Sequence, residues 1–369
     1  MKLTKYKLGD LIEQIEERNV ELKYGPELVK GMTLTKEIIP TKANLKGADL
    51  SKYYIVGKNE FIYNPRTHGK KIGLGFNNTN QTILISWNNI AFRVKKEKKD
   101  IILPEYLFLD FNREEWDRYA CINSWGSSTE VFSWEEMCDI EITLPDIETQ
   151  QKYVDIYNSM LRNQKSYERG LEDLKLVCDA YFDKLKNNNL ECVGSLLEES
   201  EERNKFGKYK IVKGLDINKT FIDTKANLDN VNIEKYKIVR KDQLAFSGMQ
   251  TGRDKTVRIA LMSEEEPILI SSAYSVFRIN EKVLPEYLML YFLRNETDRY
   301  GWFLSDSSVR SNLDMDRFYE IKIPIPPMEV QESIADIYKV YKNRKMINEK
   351  LKQQLKDICP ILIKGSLQD

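Results

Sequence analysis

Apolar residues follow two rhythms along this chain. Short apolar or aromatic runs bounded by Gly, Asn, Asp or Ser read as strands. Examples are Tyr54-Ile55-Val56, Glu60-Phe61-Ile62-Tyr63 and Thr82-Ile83-Leu84-Ile85, and later Gln243-Leu244-Ala245-Phe246, Pro267-Ile268-Leu269-Ile270 and Tyr274-Ser275-Val276-Phe277. Each set leads to a short helix with Pro just ahead of it, Glu105–Phe111 and Glu286–Leu293. The second rhythm is helical and much longer. Residues Thr149–Asn187 hold no Pro and no break but Gly170, and Glu329–Cys359 is clear of Pro until Pro360. In the later segment Ile334, Ile337, Tyr341, Arg344, Asn348, Leu351, Leu355, Ile358 and Leu362 alternate at three and four residues, which is a heptad seam. Val154, Tyr157 and Leu161, then Leu171, Leu174, Cys178, Tyr181 and Leu185, do the same in the earlier one, with a polar stretch around Asn163–Glu168. Both seams are apolar at the ends and polar at the centre, so they match when laid antiparallel. A helix of about 36 residues is roughly 54 Å long, a length suited to a spacer rather than to a compact domain.

The pattern also occurs twice. Glu16-Glu17-Arg18-Asn19 returns as Glu201-Glu202-Arg203-Asn204, Val29-Lys30-Gly31 as Val212-Lys213-Gly214, and Thr41-Lys42-Ala43-Asn44 as Thr224-Lys225-Ala226-Asn227. Further on, Ile83-Leu84-Ile85-Ser86 returns as Ile268-Leu269-Ile270-Ser271, and Leu103-Pro104-Glu105-Tyr106-Leu107 as Leu284-Pro285-Glu286-Tyr287-Leu288. Asp117-Arg118-Tyr119 likewise returns as Asp298-Arg299-Tyr300. A period this long is a duplicated domain, since solenoid repeats run about 20–50 residues. The expected fold class is therefore α+β: two repeated mixed α/β domains joined by two long helices in an antiparallel coiled coil, with pseudo-two-fold symmetry. The expected divisions are 1–147 and 190–327 for the globular domains, and 148–189 and 328–366 for the helices.

With 369 residues, 41% hydrophobic and 11% aromatic, each half has enough apolar material for its own core. No run of eighteen apolar residues exists, so no membrane span is expected. Met1-Lys2-Leu3-Thr4-Lys5-Tyr6 lacks an apolar signal region, and a cytoplasmic location is expected. Cys121, Cys138, Cys178, Cys192 and Cys359 are scattered, with neither disulfide nor zinc spacing. The 57 basic and 57 acidic residues cancel, which argues against holding nucleic acid by bulk charge alone. Local basic loops remain, Arg66, His68, Lys70, Lys71 and Arg253, Lys255, Arg258, at matching places in the repeats.

Chemistry of the chain's own is not evident. Asn64-Pro65-Arg66 lacks the second proline and the aromatic of an adenine methyltransferase loop, and Gly73-Leu74-Gly75-Phe76 reads as a turn. No phosphate loop of the Gly-x-x-x-x-Gly-Lys-Ser/Thr type exists, and the single histidine, His68, cannot build a His-rich metal site.

Phe318-Tyr319-Glu320-Ile321-Lys322-Ile323-Pro324-Ile325-Pro326-Pro327-Met328-Glu329-Val330-Gln331 is a strand, a Pro-Pro and a Glu-x-Gln opening a long helix. Ile140-Glu141-Ile142-Thr143-Leu144-Pro145-Asp146-Ile147-Glu148-Thr149-Gln150 is a worn copy, with Asp146 replacing one proline. These junctions, the Leu-Pro-Glu-Tyr-Leu segments and the Ile-Ser…Phe-Arg strands (Ile85-Ser86 to Phe92-Arg93, Ile270-Ser271 to Phe277-Arg278) resemble the DNA-specificity subunits of type I restriction–modification systems. The resemblance covers essentially the whole chain. It implies that each globular domain reads one half of a bipartite site on double-stranded DNA. It implies that the helices space the domains and dock two methyltransferase subunits, which restriction subunits then join. The implied cofactor, S-adenosylmethionine, belongs to the methyltransferase; none is expected on this chain, which is expected to be non-catalytic. Two alternatives stay open: a coiled-coil adaptor with duplicated protein-binding domains, and a specificity partner for a fused nuclease–methyltransferase.

If the half-sites differ, base-reading positions must differ between repeats while the frame matches. Three pairs of segments qualify. The first pair supplies Tyr63, Asn64, Arg66, Thr67, His68, Lys70 and Lys71, against Ser247, Met249, Gln250, Thr251, Arg253 and Lys255. Arg pairs with guanine O6/N7, Gln with adenine N6/N7, and Lys holds phosphates. The second supplies Trp125, Ser127 and Ser128 against Ser308, Arg310 and Asn312, and the third Trp87 and Asn88 against Ser272 and Tyr274.

Overall fold

The structure is a computed structural model and describes residues 3–67, 71–125, 130–186, 189–224, 227–228, 231–306 and 311–368. The chain divides into two compact units: Met1–Lys165 with Glu349–Asp369, and Ser166–Asn348. The last stretch of the C-terminal helix therefore belongs to the first unit.

The first unit runs β1 (Thr4–Lys7), α1 (Leu8–Leu11), β2 (Ile12–Gln14), β3 (Lys30–Met32), β4 (Ile38–Pro40), β5 (Tyr54–Val56), β6 (Glu60–Asn64), β7 (Gly73–Asn77), β8 (Ile83–Ile85), β9 (Ile90–Val94), α2 (Pro104–Phe111), α3 (Glu114–Ile122), α4 (Trp134–Cys138) and β10 (Glu141–Leu144). Its main sheet is antiparallel in the order β2-β9-β6-β7, with two-stranded β3-β4, β5-β8 and β1-β10 around it. The last of these pairs the first strand with the one that feeds the long helix α5 (Ile147–Leu185), Thr4 opposite Leu144.

The second unit repeats the plan. It runs β11 (Leu190–Cys192), β12 (Leu197–Glu199), β13 (Lys213–Leu215), β14 (Phe221–Asp223), β15 (Lys237–Val239), β16 (Leu244–Ser247), α6 (Thr251–Asp254), β17 (Arg258–Leu261), β18 (Ile268–Ile270), β19 (Ser275–Ile279), α7 (Pro285–Leu293), α8 (Asn295–Leu304), α9 (Met315–Tyr319), β20 (Lys322–Pro324) and the long helix α10 (Met328–Ser366). The sheet order is β12-β19-β16-β17, with β13-β14, β15-β18 and β11-β20 apart.

Core aromatics come from alternate strand positions and the following helices, as period-two patterning requires. In the first unit Phe61 stacks on Phe92 at 4.9 Å and meets Phe111 edge-on at 5.7 Å. In the second, Phe246 stacks on Phe318 at 3.9 Å. The long helices enter the same cores: Val154 of α5 packs with Cys359, Leu362 and Ile363 of α10 in the first unit, and Cys178 and Phe182 of α5 with Ile334 and Tyr338 of α10 in the second. In each unit the start of one helix packs with the end of the other. The heptad expectation needs correction at two positions, since Arg344 is exposed and Tyr181 is not the buried residue of its turn. Tyr181 is half-exposed, and the seam passes through fully buried Phe182 instead. Gln164 and Asn348, in the polar stretches of their helices, are both buried.

The repeated landmarks turn out to be buried polar ties. Gln150 accepts a hydrogen bond from Leu103 N (3.0 Å) and donates to the carbonyls of Ile101 (2.8 Å) and Pro145 (3.0 Å). Gln331 accepts from Leu284 N (2.9 Å) and donates to Lys282 O and Pro326 O, both at 3.0 Å. Thus the Gln of each junction binds the start of its long helix to the segment that opens α2 or α7. Asp117 and Asp298 play a second such role. Lys36 Nζ lies 2.9 Å from Asp117 Oδ1, and Lys219 Nζ 2.6 Å from Asp298 Oδ2, pinning the β3-β4 and β13-β14 hairpins to α3 and α8. Burial lowers the Lys219 pKa, and the Asp298 carboxylate opposes that shift.

Candidate nucleic-acid interface

Strand register decides where the candidate segments lie. Tyr63 pairs with Ile90 and Asn64 with Gly73, so the loop leaving β6 and the turn before β9 share one end of the main sheet. In the second unit Ser247 pairs with Arg258 and Phe246 with Ser275, giving the same arrangement. The second candidate segment joins them. In the first unit Phe132 N donates to Pro65 O (2.8 Å), Thr67 N to Glu130 O (3.1 Å), and Trp125 and Val131 exchange backbone hydrogen bonds at 3.0 and 3.1 Å. In the second unit Gly252 N donates to Ser311 O and Leu313 N to Gly248 O, both at 2.9 Å. Segments some sixty residues apart are thereby bound into one surface in each unit.

The β16–α6 loop is held in a demanding conformation. Gln250 and Lys255, which bracket α6, both have left-handed backbones (φ 62° and 53°). Gln250 N donates to Asn312 Oδ1 (3.3 Å), and Asn312 N donates to Asp306 Oδ1 (3.0 Å). A Cβ on Gly248 would lie 1.8 Å from Leu313 O, so only glycine permits this approach.

Within this frame the candidate residues separate. Arg66, Trp87, Asn88, Trp125, Arg253, Lys255 and Ser272 are exposed, as is Met249. Among the described residues, the guanidinium groups of Arg66 and Arg253 hold no hydrogen bond or ion pair. Lys255 Nζ lies over the Trp302 ring at 4.5 Å. Lys71 lies 3.8 Å from Asp117 Oδ2 and 4.0 Å from Glu114 Oε1. Arg258 is committed to Asp254 and to Gln250 Oε1 (3.2 Å). Asn64 accepts from Arg66 N (3.0 Å), which shapes the loop.

Four expected contact residues are instead interior. Tyr63 is fully buried, and that burial pushes its phenol pKa up. The β-strand alternation that puts Phe61 inside puts Tyr63 inside too. Thr67 donates to Ser124 Oγ (2.9 Å), Thr251 donates to Gly248 O (3.0 Å), and Ser247 accepts from Met249 N (3.3 Å); all three are buried and support the loops, Ser247 from the wall of a cleft. Tyr274 is half-buried against the second unit's smaller core cluster. His68, Lys70, Ser127, Ser128, Ser308 and Arg310 lie outside the described residues.

The second unit carries a cleft of about 240 Å³ at this sheet end. Ser247, Met249 and Tyr274 line it, together with Lys213, Thr224 and Tyr236. The last three are not among the expected contacts. Lys213 and Thr224 belong to segments that recur between the repeats, and sameness there concealed a position on the cleft wall. Lys213 Nζ sits 2.6 Å from Asp223 Oδ1 across the β13-β14 hairpin. The described residues hold no group of three or more His, Cys, Asp or Glu side chains placed to bind a metal, and no helix long and apolar enough to cross a membrane.

A family model described as type I restriction modification DNA specificity domain matches residues 2–173 and again 193–357. Over 147 residues the chain is 23% identical to the type I restriction enzyme HindI specificity subunit of Haemophilus influenzae, a stretch that is 39% of this chain and 32% of that protein. The alignment thus spans about a third of that curated relative's length. A crystal structure of a type I restriction–modification system S subunit from M. genitalium superposes with a TM-score of 0.55 at 14% identity, covering 99% of this chain and 96% of that one. At that identity the likeness is one of fold.

Proposed function

The chain belongs to the type I restriction–modification DNA specificity family, carrying its specificity domain twice, and from this we propose that it is the non-catalytic recognition subunit of such a complex. Each unit reads one half of a bipartite site on double-stranded DNA with the loops at the sheet end described above. The observation that supports this most directly is the assembly of diverging segments into one surface in each unit, on a frame that does not diverge. Exposed Arg66 and Trp125 in the first unit, and exposed Arg253 and Met249 in the second, supply donors and stacking faces there. The two 39-residue helices, each about 58 Å long, set the spacing and dock two methyltransferase subunits. Restriction subunits complete the complex, and S-adenosylmethionine is held by the methyltransferase.

The test is to express the chain with a type I adenine methyltransferase and sequence the modified DNA by single-molecule reads. A bipartite N6-methyladenine motif is expected, and a continuous short motif would overturn the two-unit reading. Arg253→Ala should weaken binding at one half-site by roughly 1–3 kcal/mol and relax the motif at one position. An unchanged motif would remove Arg253 from the interface.

A further inference from the structure

Each unit holds one more loop that the recognition surface described above does not include. In the first unit the buried Asn19 side chain donates to Tyr24 O (2.9 Å) and accepts from Tyr24 N (3.1 Å), closing residues 19–24 into a tight loop. Leu22 N donates to Asn19 O at 2.9 Å. In the second unit the buried Asn204 does the same with Tyr209 (3.0 and 3.1 Å), and Gly207 N donates to Asn204 O at 2.9 Å. Leu22 and Gly207 occupy equivalent places and both have left-handed backbones, φ 53° and 60°. Leucine adopts that conformation only when its surroundings impose it, and such imposed residues concentrate at functional sites.

The stapled loops present exposed apolar side chains among charged ones, with Glu21 of the first unit in the place that Phe206 takes in the second. Val20 and Leu22 are 70% and 60% exposed, and Phe206 is 94% exposed. No core contact accounts for a rigid loop with its largest hydrophobe in solvent. The charge around Phe206 indicates an occupant. Lys205, Lys208 and Lys210 are exposed, and among the described residues none is paired with a carboxylate, in a chain whose net charge is zero. An apolar tip flanked by three exposed lysines, of which Lys208 has its Nζ 5.3 Å from the centre of the Tyr209 ring, suits a polyanion with apolar gaps, which is duplex DNA. The loop also adjoins the cleft. Asn204 N donates to the carbonyl of cleft-lining Tyr236 (3.0 Å), and the chain continues from Tyr209 to cleft-lining Val212.

We propose that Phe206 of the second unit is an apolar wedge that inserts at a base step beside its half-site. There it partly unstacks the duplex while Lys205, Lys208 and Lys210 hold the adjacent phosphates. Apolar wedges of this kind kink DNA toward the major groove, so that more of the protein surface reaches it. Sequence preference would then arise at a step read by its deformability rather than by its base edges. The inference rests on the DNA-recognition reading above.

The test uses the full chain assembled with its methyltransferase, on duplexes containing the methylated motif with 2-aminopurine placed at successive steps. The unaltered complex should raise 2-aminopurine fluorescence at one step beside the second half-site. Phe206→Ala should abolish that rise and weaken DNA binding about ten- to a hundred-fold, with the slope of affinity against salt unchanged. Phe206→Leu should retain most of both. Replacing Lys205, Lys208 and Lys210 together by Ala should flatten the salt slope instead. If Phe206→Ala leaves fluorescence and affinity unaltered, the wedge is refuted while DNA recognition stands. If it prevents association with the methyltransferase and leaves DNA contact intact, the loop is a protein-docking element and the proposal fails. A complex that modifies no bipartite motif would sink the recognition reading itself.

Discussion

Replacing Gln331 by Leu tests whether the repeated junction is a structural tie. The side chain is 1% exposed and makes three hydrogen bonds, one from Leu284 N and two to the carbonyls of Lys282 and Pro326. Leucine matches it roughly in size, so little cavity forms, but one N–H and two carbonyls, that of Pro326 buried, lose their partner. Each such group costs about 1–3 kcal/mol. Carbonyls relax toward other donors more readily than an N–H does, which brings the total to about 3–5 kcal/mol. Gln331→Glu separates acceptor from donor: it keeps the bond from Leu284 N but faces two carbonyls with a buried charge. That variant should be worse than Leu at neutral pH and recover as pH falls, because burial raises the introduced carboxyl's pKa and protonation restores a donor. Urea denaturation gives the stability change, and hydrogen exchange of peptides covering 282–293 localises it, since Leu284 N should lose protection. A loss under about 1 kcal/mol, or unaltered protection there, would refute the reasoning. Gln150→Leu should produce the same effect at peptides covering 101–111.

Lys219→Met leaves the half-buried Asp298 without its cation and should cost about 3 kcal/mol by urea denaturation, with part regained in the Lys219→Met, Asp298→Leu double variant. Gly248→Ala should drive the segment from Ser311 to Leu313 off the β16–α6 loop, so the sequenced motif should lose definition in one half only. If both halves survive, that contact does not shape recognition. The Glu202 carboxyl is held below its ordinary pKa by the hydrogen bond from Arg240, and Glu201 by that from Lys237. Both pKa values are depressed on folding, so their contribution is present above the ordinary carboxylate range and is lost as pH falls through the lowered values. The denaturation midpoint should therefore drop below about pH 4.5, and Arg240→Gln should reduce that dependence; an equal dependence in the variant would count against it.

Several features were legible along the chain because they are local or periodic. Strand runs such as Glu60–Tyr63 and Gln243–Phe246, the Pro-led helices α2 and α7, and the two long helices follow from patterns of two, three and four residues. The duplication needed only comparison of the chain with itself, and it separated a constant frame from varying segments. That separation was less clean in space. Lys213 and Thr224, matched between the repeats, line the cleft, whereas Thr67 and Thr251, in the varying loops, are buried supports. Tyr63, an expected contact in the first of these segments, is turned into the core by strand alternation.

Repetition and hydrophobic period can be read from the chain alone, and they carry the two-copy plan, the α+β class and the segments in which recognition is sought. Which of those side chains face outward is settled by the folded chain. That outcome depends on approaches between residues far apart in the chain: Gly248 against Leu313, Lys219 against Asp298, and Gln331 against the start of α7. Each is imposed by the need to partner a buried polar group or to close a gap smaller than one methyl group. No local pattern announces which distant residue will meet that need.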